Sequence, residues 1–574
     1  MTWVPVLLLL AAVPLCSAIG EDDLVQDLPG LLFKPTWNTY SGFLNANQDA
    51  SWQMHYWVAE SRNDPAKDPL LLWFNGGPGC SSFCGMFEEL GPFYVTHDGQ
   101  NLFENVHSWN QRANVLALES PIGVGFSYDK NNATFSYAHD DQTADQNYAA
   151  LKDFFNRVQT KYNGRDFYIA GESYAGIYIP TLSKKIVEGI NNGDFPNKNF
   201  KGIAIGNGFM HVEYLMNSLV LWSYYHGRLS VEDWDYVKTH CRSNPALDTD
   251  HSNFTQYLVS SNGMDFVSDN STCGNILAPL LVLDKNMDQY NYYQDCYKDN
   301  AIVVSTPKDH HPRDNMRRRR AKRYAERDTN DNPTMNMYED STDTQNGYPC
   351  WNEDAVHKYA NRPDVMKAIH IPDDWIKRKQ EWIDCNDPIY KQYHVKYSKT
   401  NELFDFILAN YKSPFRILVF NGDVDTVCNY LGDAWLMRDI AEKNNMKVSL
   451  PHQYWYFRNQ TAGYIQRYST EDKSKNIDVM SIKGAGHFVP NDRPGQSAQF
   501  ITNFMHPEGA NGAPDYSDAT LVNPTPNPLP LVVSPAPPQP SSTVPAVVTT
   551  TQVTVQAQGL FSTLLVVLFA VLLY

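Results

Sequence analysis

The run DFYIAGESYAG at residues 166–176 limits what this chain can fold into more than any other segment, because a β-branched and aromatic stretch stops abruptly at a serine set among small residues. A strand that delivers a serine on a tight turn into a helix needs small side chains two positions either side of it. The two backbones then approach closely and leave the hydroxyl exposed. Gly171 and Ala175 occupy those positions. The run departs from Gly-x-Ser-x-Gly in having Ala175 fifth, with Gly176 one place later, and by itself it is also the sequence of an ordinary strand-to-helix turn. Ser173 is the candidate nucleophile.

A second glycine-rich turn changes the balance. Residues 70–79, LLLWFNGGPG, form a buried strand pattern that runs into a backbone only glycine and proline trace readily. In an α/β-hydrolase the oxyanion hole combines the amide after the nucleophile with one from an upstream strand-to-helix loop, which here selects the amides of Tyr174 and Gly77. The acid and the histidine follow the serine in that fold, and FRILVFNGDVD at 415–425 and VMSIKGAGH at 479–487 each end an apolar run with a carboxylate or an imidazole at a turn. These residues leave Asp423 and Asp425 both open. The expected fold is α/β, an α/β-hydrolase with a mostly parallel central sheet and an inserted cap.

The chain resembles the serine carboxypeptidases. The motifs that carry the resemblance are LPGL at 28–31, YSGFL at 40–44, WFNGGPGCSS at 73–82, ELGPF at 89–93, ESPIGVGFSY at 119–128, GESYAG at 171–176, IGNG at 205–208, GDVD at 422–425 and GAGHFVP at 484–490. The resemblance implies a triad of Ser173, Asp425 and His487, with His487 the general base and Asp425 its orienting partner. It also implies that Trp73, Asn75, Gly76, Glu89 and Glu172 recognise the free carboxylate of a peptide. The activity implied is release of C-terminal residues at acidic pH through an acyl-enzyme, without cofactor or metal. The other readings are a carboxypeptidase-like acyltransferase and a non-catalytic protective partner of other hydrolases; the intact Trp73, Asn75, Glu89 and Glu172 set argues against the first.

Glu172 directly precedes the nucleophile, where a bare carboxylate would oppose a developing oxyanion. Two carboxyls facing each other do not both ionise readily, so a Glu89–Glu172 pair holds a proton and can donate a hydrogen bond to a substrate carboxylate. That is a physical reason for acid activity.

A formal net charge of −17 argues against nucleic acid as a partner, since binding needs a basic face. Residues 1–18 read as a signal peptide, with an apolar VPVLLLLAAVPL core but no positive n-region. Removing it leaves eight of the nine cysteines, and eight allow 105 connectivities. The resemblance suggests pairs Cys80 with Cys385, Cys241 with Cys273 and Cys296 with Cys350, with Cys84 and Cys428 left over. Asn132, Asn253, Asn270 and Asn459 open glycosylation sequons.

The catalytic domain is expected over residues 19–506, with a cap at about 209–355 and an amphipathic helix at 142–158 carrying Tyr148, Leu151, Phe154, Phe155 and Val158 on one face. Within the cap, 299–347 is polar and contains RRRRAKR at 317–323; composition reads it as a solvated, disordered loop, and such an exposed loop is where basic-specific secretory proteases are expected to cut. Residues 507–557, rich in Pro, Ser, Thr and Val, read as an extended stalk. Residues 558–574 read as an anchor signal, because the fifteen residues of the largely apolar LFSTLLVVLFAVLLY are short for a spanning helix and no Lys or Arg follows, with an uncleaved hydrophobic tail as the other reading. The expected setting is the secretory pathway, with cell surface, lysosome and extracellular space as destinations. The expected partners are peptide or protein C termini, with a homodimer and attachment to a membrane through the tail left open.

Overall fold

The computed structural model describes residues 19–96, 98–131, 138–242, 252–281, 288–293, 352–378, 380–506 and 513–532. The signal peptide, Asn132, the basic loop with Cys296 and Cys350, and residues 558–574 lie outside the described residues.

One eleven-stranded mixed sheet organises the chain. Its main strands are β1 (Thr39–Asn45), β2 (Trp52–Ala59), β3 (Leu70–Phe74), β4 (Asn114–Leu118), β5 (Phe167–Ser173), β6 (Phe200–Gly208), β7 (Phe415–Gly422), β8 (Lys447–Phe457), β9 (Gln460–Ser469) and β10 (Lys475–Ile482). They lie side by side in the order β1-β2-β4-β3-β5-β6-β7-β10-β9-β8. The strands from β4 to β10 in that order run parallel, and antiparallel pairs flank them. Parallel strands are covered on both faces and so read as near-continuous apolar runs, such as LLLWF and NVLAL. Alternation divides them between two cores: Leu70, Leu72 and Phe74 enter one, and Leu71 and Trp73 the other.

Helices α1 (Asp140–Asp153) and α2 (Ala175–Asn192) cover the first face, and the helix Pro494–Met505 covers the second. The expected helix at 142–158 is α1 prolonged by a wider turn through Phe154–Val158, with Leu151, Phe154, Phe155 and Val158 buried and Tyr148 half-buried. Between β6 and β7 the insertion has a small core of its own, including Met216, Val220, Trp234, Phe254 and Leu277, beside a Cys241–Cys273 disulfide. Cys80 is bonded to Cys385, joining the glycine-rich turn to a segment 305 residues away. Cys84 and Cys428 are buried, and no disulfide joins them. Asn270 and Asn459 are exposed, whereas Asn253 is half-buried with Oδ1 accepting from Thr255.

The stalk expected over 507–557 needs correction for its described part. Residues 513–532 are a strap docked on the domain, which therefore does not end at 506. Tyr516 and Val522 are buried, and the Tyr516 hydroxyl donates to Asp478 at 2.6 Å. The carbonyls of Pro514, Tyr516, Leu521 and Pro524 accept from Arg467, Gln499, Arg112 and Arg458 at 2.8–2.9 Å. At its end the Val532 amide donates to Leu32 O at 2.7 Å. Composition concealed this because the strap is held mainly through its backbone, which proline-rich sequence leaves intact as an acceptor.

Candidate active site

The carboxyl ends of three parallel strands place the chemistry, where open α/β sheets hold their ligands. Ser173 is the last residue of β5, half-buried at φ +61°, a left-handed conformation rare outside glycine and found where function holds the backbone in strain. Gly171 makes this turn possible: a Cβ there would lie 2.5 Å from Phe74 O and 2.8 Å from the Ala175 Cβ. Gly76 lies equally close to the elbow, since a Cβ on it would meet the Tyr174 nitrogen at 2.5 Å and the Ser173 Cβ at 2.6 Å. The glycine-rich turn is thus pressed against the nucleophile, and the Tyr174 amide belongs to the amino end of α2, where helix amides point outward.

Asp425 follows β7 and His487 follows β10. His487 Nδ1 lies 2.7 Å from Asp425 Oδ2, with the histidine 1% and the aspartate 0% exposed. The neighbouring Asp423 is a turn residue whose Oδ1 accepts the Gly484 amide at 2.6 Å, which separates the two carboxylates that the sequence left open. Asp425 also accepts the amides of Val427 at 2.8 Å and Cys428 at 3.0 Å. Burial pushes the Cys428 thiol well up, so it stays protonated and is no competing nucleophile. Ser173 Oγ makes no hydrogen bond to His487 here; such bonds often tighten only once substrate fills the site.

Asn75 organises a second cluster beside the elbow. Its Oδ1 accepts from Trp73 Nε1 at 2.8 Å and from the Gly85 amide at 3.1 Å, which fixes the amide so that Nδ2 faces both carboxyls, Glu89 at 2.8 Å and Glu172 at 3.0 Å. Glu89 and Glu172 are 3% and 2% exposed, and Oε2 of each is buried without a partner among the described residues. Burial above all raises Glu89 to about 7. Glu172 is raised well above the ordinary range by burial and then by the charge of Glu89. Both shifts favour the protonated forms of the pair.

The expected carboxylate-binding role of Trp73 is corrected by this arrangement. Trp73 is fully buried and its single donor is taken by Asn75, so it orients the amide and does not reach a substrate. Sequence reasoning also missed Asn207, which donates to Asp425, and Tyr290. Tyr290 belongs to the insertion, its carbonyl accepts the His487 amide at 2.7 Å, and its ring lies 5.0 Å from the imidazole. Only Asn207 carried a usable sign, an amide residue within a glycine pair at the end of a buried strand.

Comparison with known proteins gives the family. The serine carboxypeptidase family model matches residues 29–507. Serine carboxypeptidase ctsa-3.1 of Caenorhabditis elegans is 49% identical over 515 residues, covering 85% of this chain and 88% of that protein. The lysosomal protective protein of Mus musculus is 34% identical over 519 residues, covering 88% and 97%. The crystal structure of Kex1(delta)p, a prohormone-processing carboxypeptidase from Saccharomyces cerevisiae, shares the fold with a TM-score of 0.62 at 20% identity, covering 86% and 98%. The chain belongs to the serine carboxypeptidase family and is a serine-type carboxypeptidase of α/β-hydrolase fold.

Proposed function

We propose that Ser173 attacks the carbonyl of the last peptide bond while His487 takes its proton, with Asp425 orienting the imidazole and stabilising its charged form. The amides of Gly77 and Tyr174 hold the oxyanion. His487 then protonates the leaving amino acid, and water hydrolyses the acyl-enzyme. The terminal carboxylate is received by the Glu89–Glu172 pair and the Gly76 amide, with Asn75 and Trp73 holding the pair in place. The observation that carries this reading is a pair of buried carboxyls, Glu89 and Glu172, held by the Asn75 amide beside a serine at φ +61°. Such a pair offers a donor to an anion and suits a substrate with a free C terminus.

The sign of the pH dependence follows. A raised carboxyl keeps its proton at acid pH, and Glu89 loses its own as pH rises past about 7. The substrate carboxylate then meets an anion in place of a donor. KM for peptides is expected to climb above that point, by up to roughly tenfold per pH unit, while ester or amide substrates lacking the carboxylate keep a flat KM. Glu172→Gln should flatten the peptide profile. A double Glu89→Gln, Glu172→Gln variant whose peptide KM still rises as steeply as that of wild type would reject this assignment.

We place the enzyme in the secretory pathway, on its lysosomal or cell-surface branch. The apolar leader, the disulfides, the exposed sequons and the name of the mouse relative support this. Cleavage after Arg323 is expected to give two chains under reducing conditions and one species without reductant; a single chain from native tissue in both gels would contradict it. Attachment through an exchanged glycolipid predicts release from cells by phosphatidylinositol-specific phospholipase. Recovery of residues 560–574 from the mature protein by mass spectrometry would exclude it.

A further inference from the structure

In the pairing of β5 with β6, Glu172 lies opposite Gly206 and Ser173 opposite Gly208, so Asn207 is an extra residue between two regular pairs. Such bulges re-aim a side chain. Asn207 is fully buried at φ +39°, a region asparagine tolerates better than most residues. Its Oδ1 accepts the Gly422 amide at 3.0 Å, which fixes which end is nitrogen. Nδ2 therefore donates to Asp425 Oδ2 at 2.9 Å and to Cys428 O at 3.2 Å.

Asp425 Oδ2 is the oxygen that faces His487 Nδ1. Its other donor, the Cys428 amide, comes from the aspartate's own loop. Asn207 is the donor from a different strand, the one paired with the serine strand, and two residues on the Phe209 amide donates to Ser173 O at 2.8 Å. We propose that Asn207 is a positioning residue for the carboxypeptidase reaction: its bulged amide ties the catalytic acid to the strand beside the nucleophile and keeps Asp425 Oδ2 aimed at His487. The inference rests on the triad reading given above. A purely architectural role would need only the bonds to Gly422 and Cys428, so the bond to Asp425 is what the test must isolate.

Among the described residues, His487, Glu172, Asp433, Asp288 and Cys428 face Asp425, and Glu89 faces His487. Only His487 among them gains a proton that Asp425 directly stabilises, so the acid limb of the kcat profile reports the contact. Asn207→Gly removes the side chain at a backbone position glycine accepts. It is expected to lower kcat about ten- to a hundredfold, short of the loss from removing the acid's function itself, with KM within about twofold. With one donor gone, the Asp425 charge holds the imidazolium more tightly, and the acid limb should move to higher pH. Asn207→Asp keeps the shape and the acceptor for Gly422 but donates to Asp425 only while protonated, so its kcat should approach wild type at the acid end and fall away as pH rises.

Wild-type kcat with an unmoved acid limb in Asn207→Gly overturns the proposal, as does a loss uniform across pH. If the glycine variant is not recovered folded, Asn207→Asp decides: a ratio to wild type independent of pH overturns it. Ser173→Ala and Asp425→Asn are measured in parallel. Activity retained in these two would defeat the triad reading and the inference with it, whereas their inactivity leaves the Asn207 variants to judge positioning alone.

Discussion

Replacing Ser173 with alanine is expected to reduce peptidase activity by more than about a thousandfold, because members of a nucleophile–base pair act as a unit and removing either removes the covalent route. Secretion and folding should be unaffected. The Ser173 side chain is half-buried and forms no hydrogen bond among the described residues, so the elbow loses little packing. The left-handed conformation at φ +61° strains serine and alanine alike. His487→Ala should be as inactive, with the buried Asp425 still bonded to Asn207 and the amides of Val427 and Cys428. The check is hydrolysis of a blocked dipeptide at pH 5 by purified variants whose circular dichroism matches wild type. A folded Ser173→Ala enzyme near wild-type rate would refute the assignment.

A chain ending at residue 512 is expected to lose stability while keeping its chemistry. Ordering the strap costs about 1–2 kcal/mol per residue, so its docked state implies contacts that outweigh that sum. Truncation uncovers the sites of Tyr516 and Val522 and strips a carbonyl from the buried Arg467–Asp478 pair, whose remaining bonds then face water. A fall in Tm of at least about 5 °C is the expected result for a domain of this size. None of the strap's bonds among the described residues reaches Ser173, Asp425, His487 or the carboxyl pair, so kcat/KM per folded molecule should match that of the full chain. An unchanged Tm would mean that the strap is only laid on the surface. Equal loss of kcat/KM would mean that it shapes the site.

What the sequence made legible was local. The elbow could be read because Gly171 and Ala175 answer a steric demand of the turn itself, and the same holds for the glycines that press the oxyanion turn against it. The illegible features depend on partners far along the chain. Trp73 could be named but not aimed: its donor goes to Asn75, whose amide is itself turned toward Glu89 and toward Glu172, 97 residues on. Asp423 and Asp425 were equivalent until β10 brought Gly484 to one and His487 to the other. The strap resembled a stalk because a backbone acceptor has no sequence signature. Asn207 could be noticed within its glycine pair, but its aim was hidden because a bulge is a property of two paired strands and not of either one.

The central claim is that a shared proton on Glu89 and Glu172 recognises the free C terminus and so makes the serine chemistry an exopeptidase. It is tested most directly by kcat/KM at pH 5 for one blocked dipeptide presented as the free acid and as the C-terminal amide. A single charge-assisted hydrogen bond lost in a buried site, with a carboxyl left unpaired, corresponds to about 1.5–3 kcal/mol. The free acid should therefore be cleaved at least about tenfold faster by wild type, with the preference shrinking in Glu172→Gln. Equal rates for acid and amide in wild type at pH 5 would contradict the account.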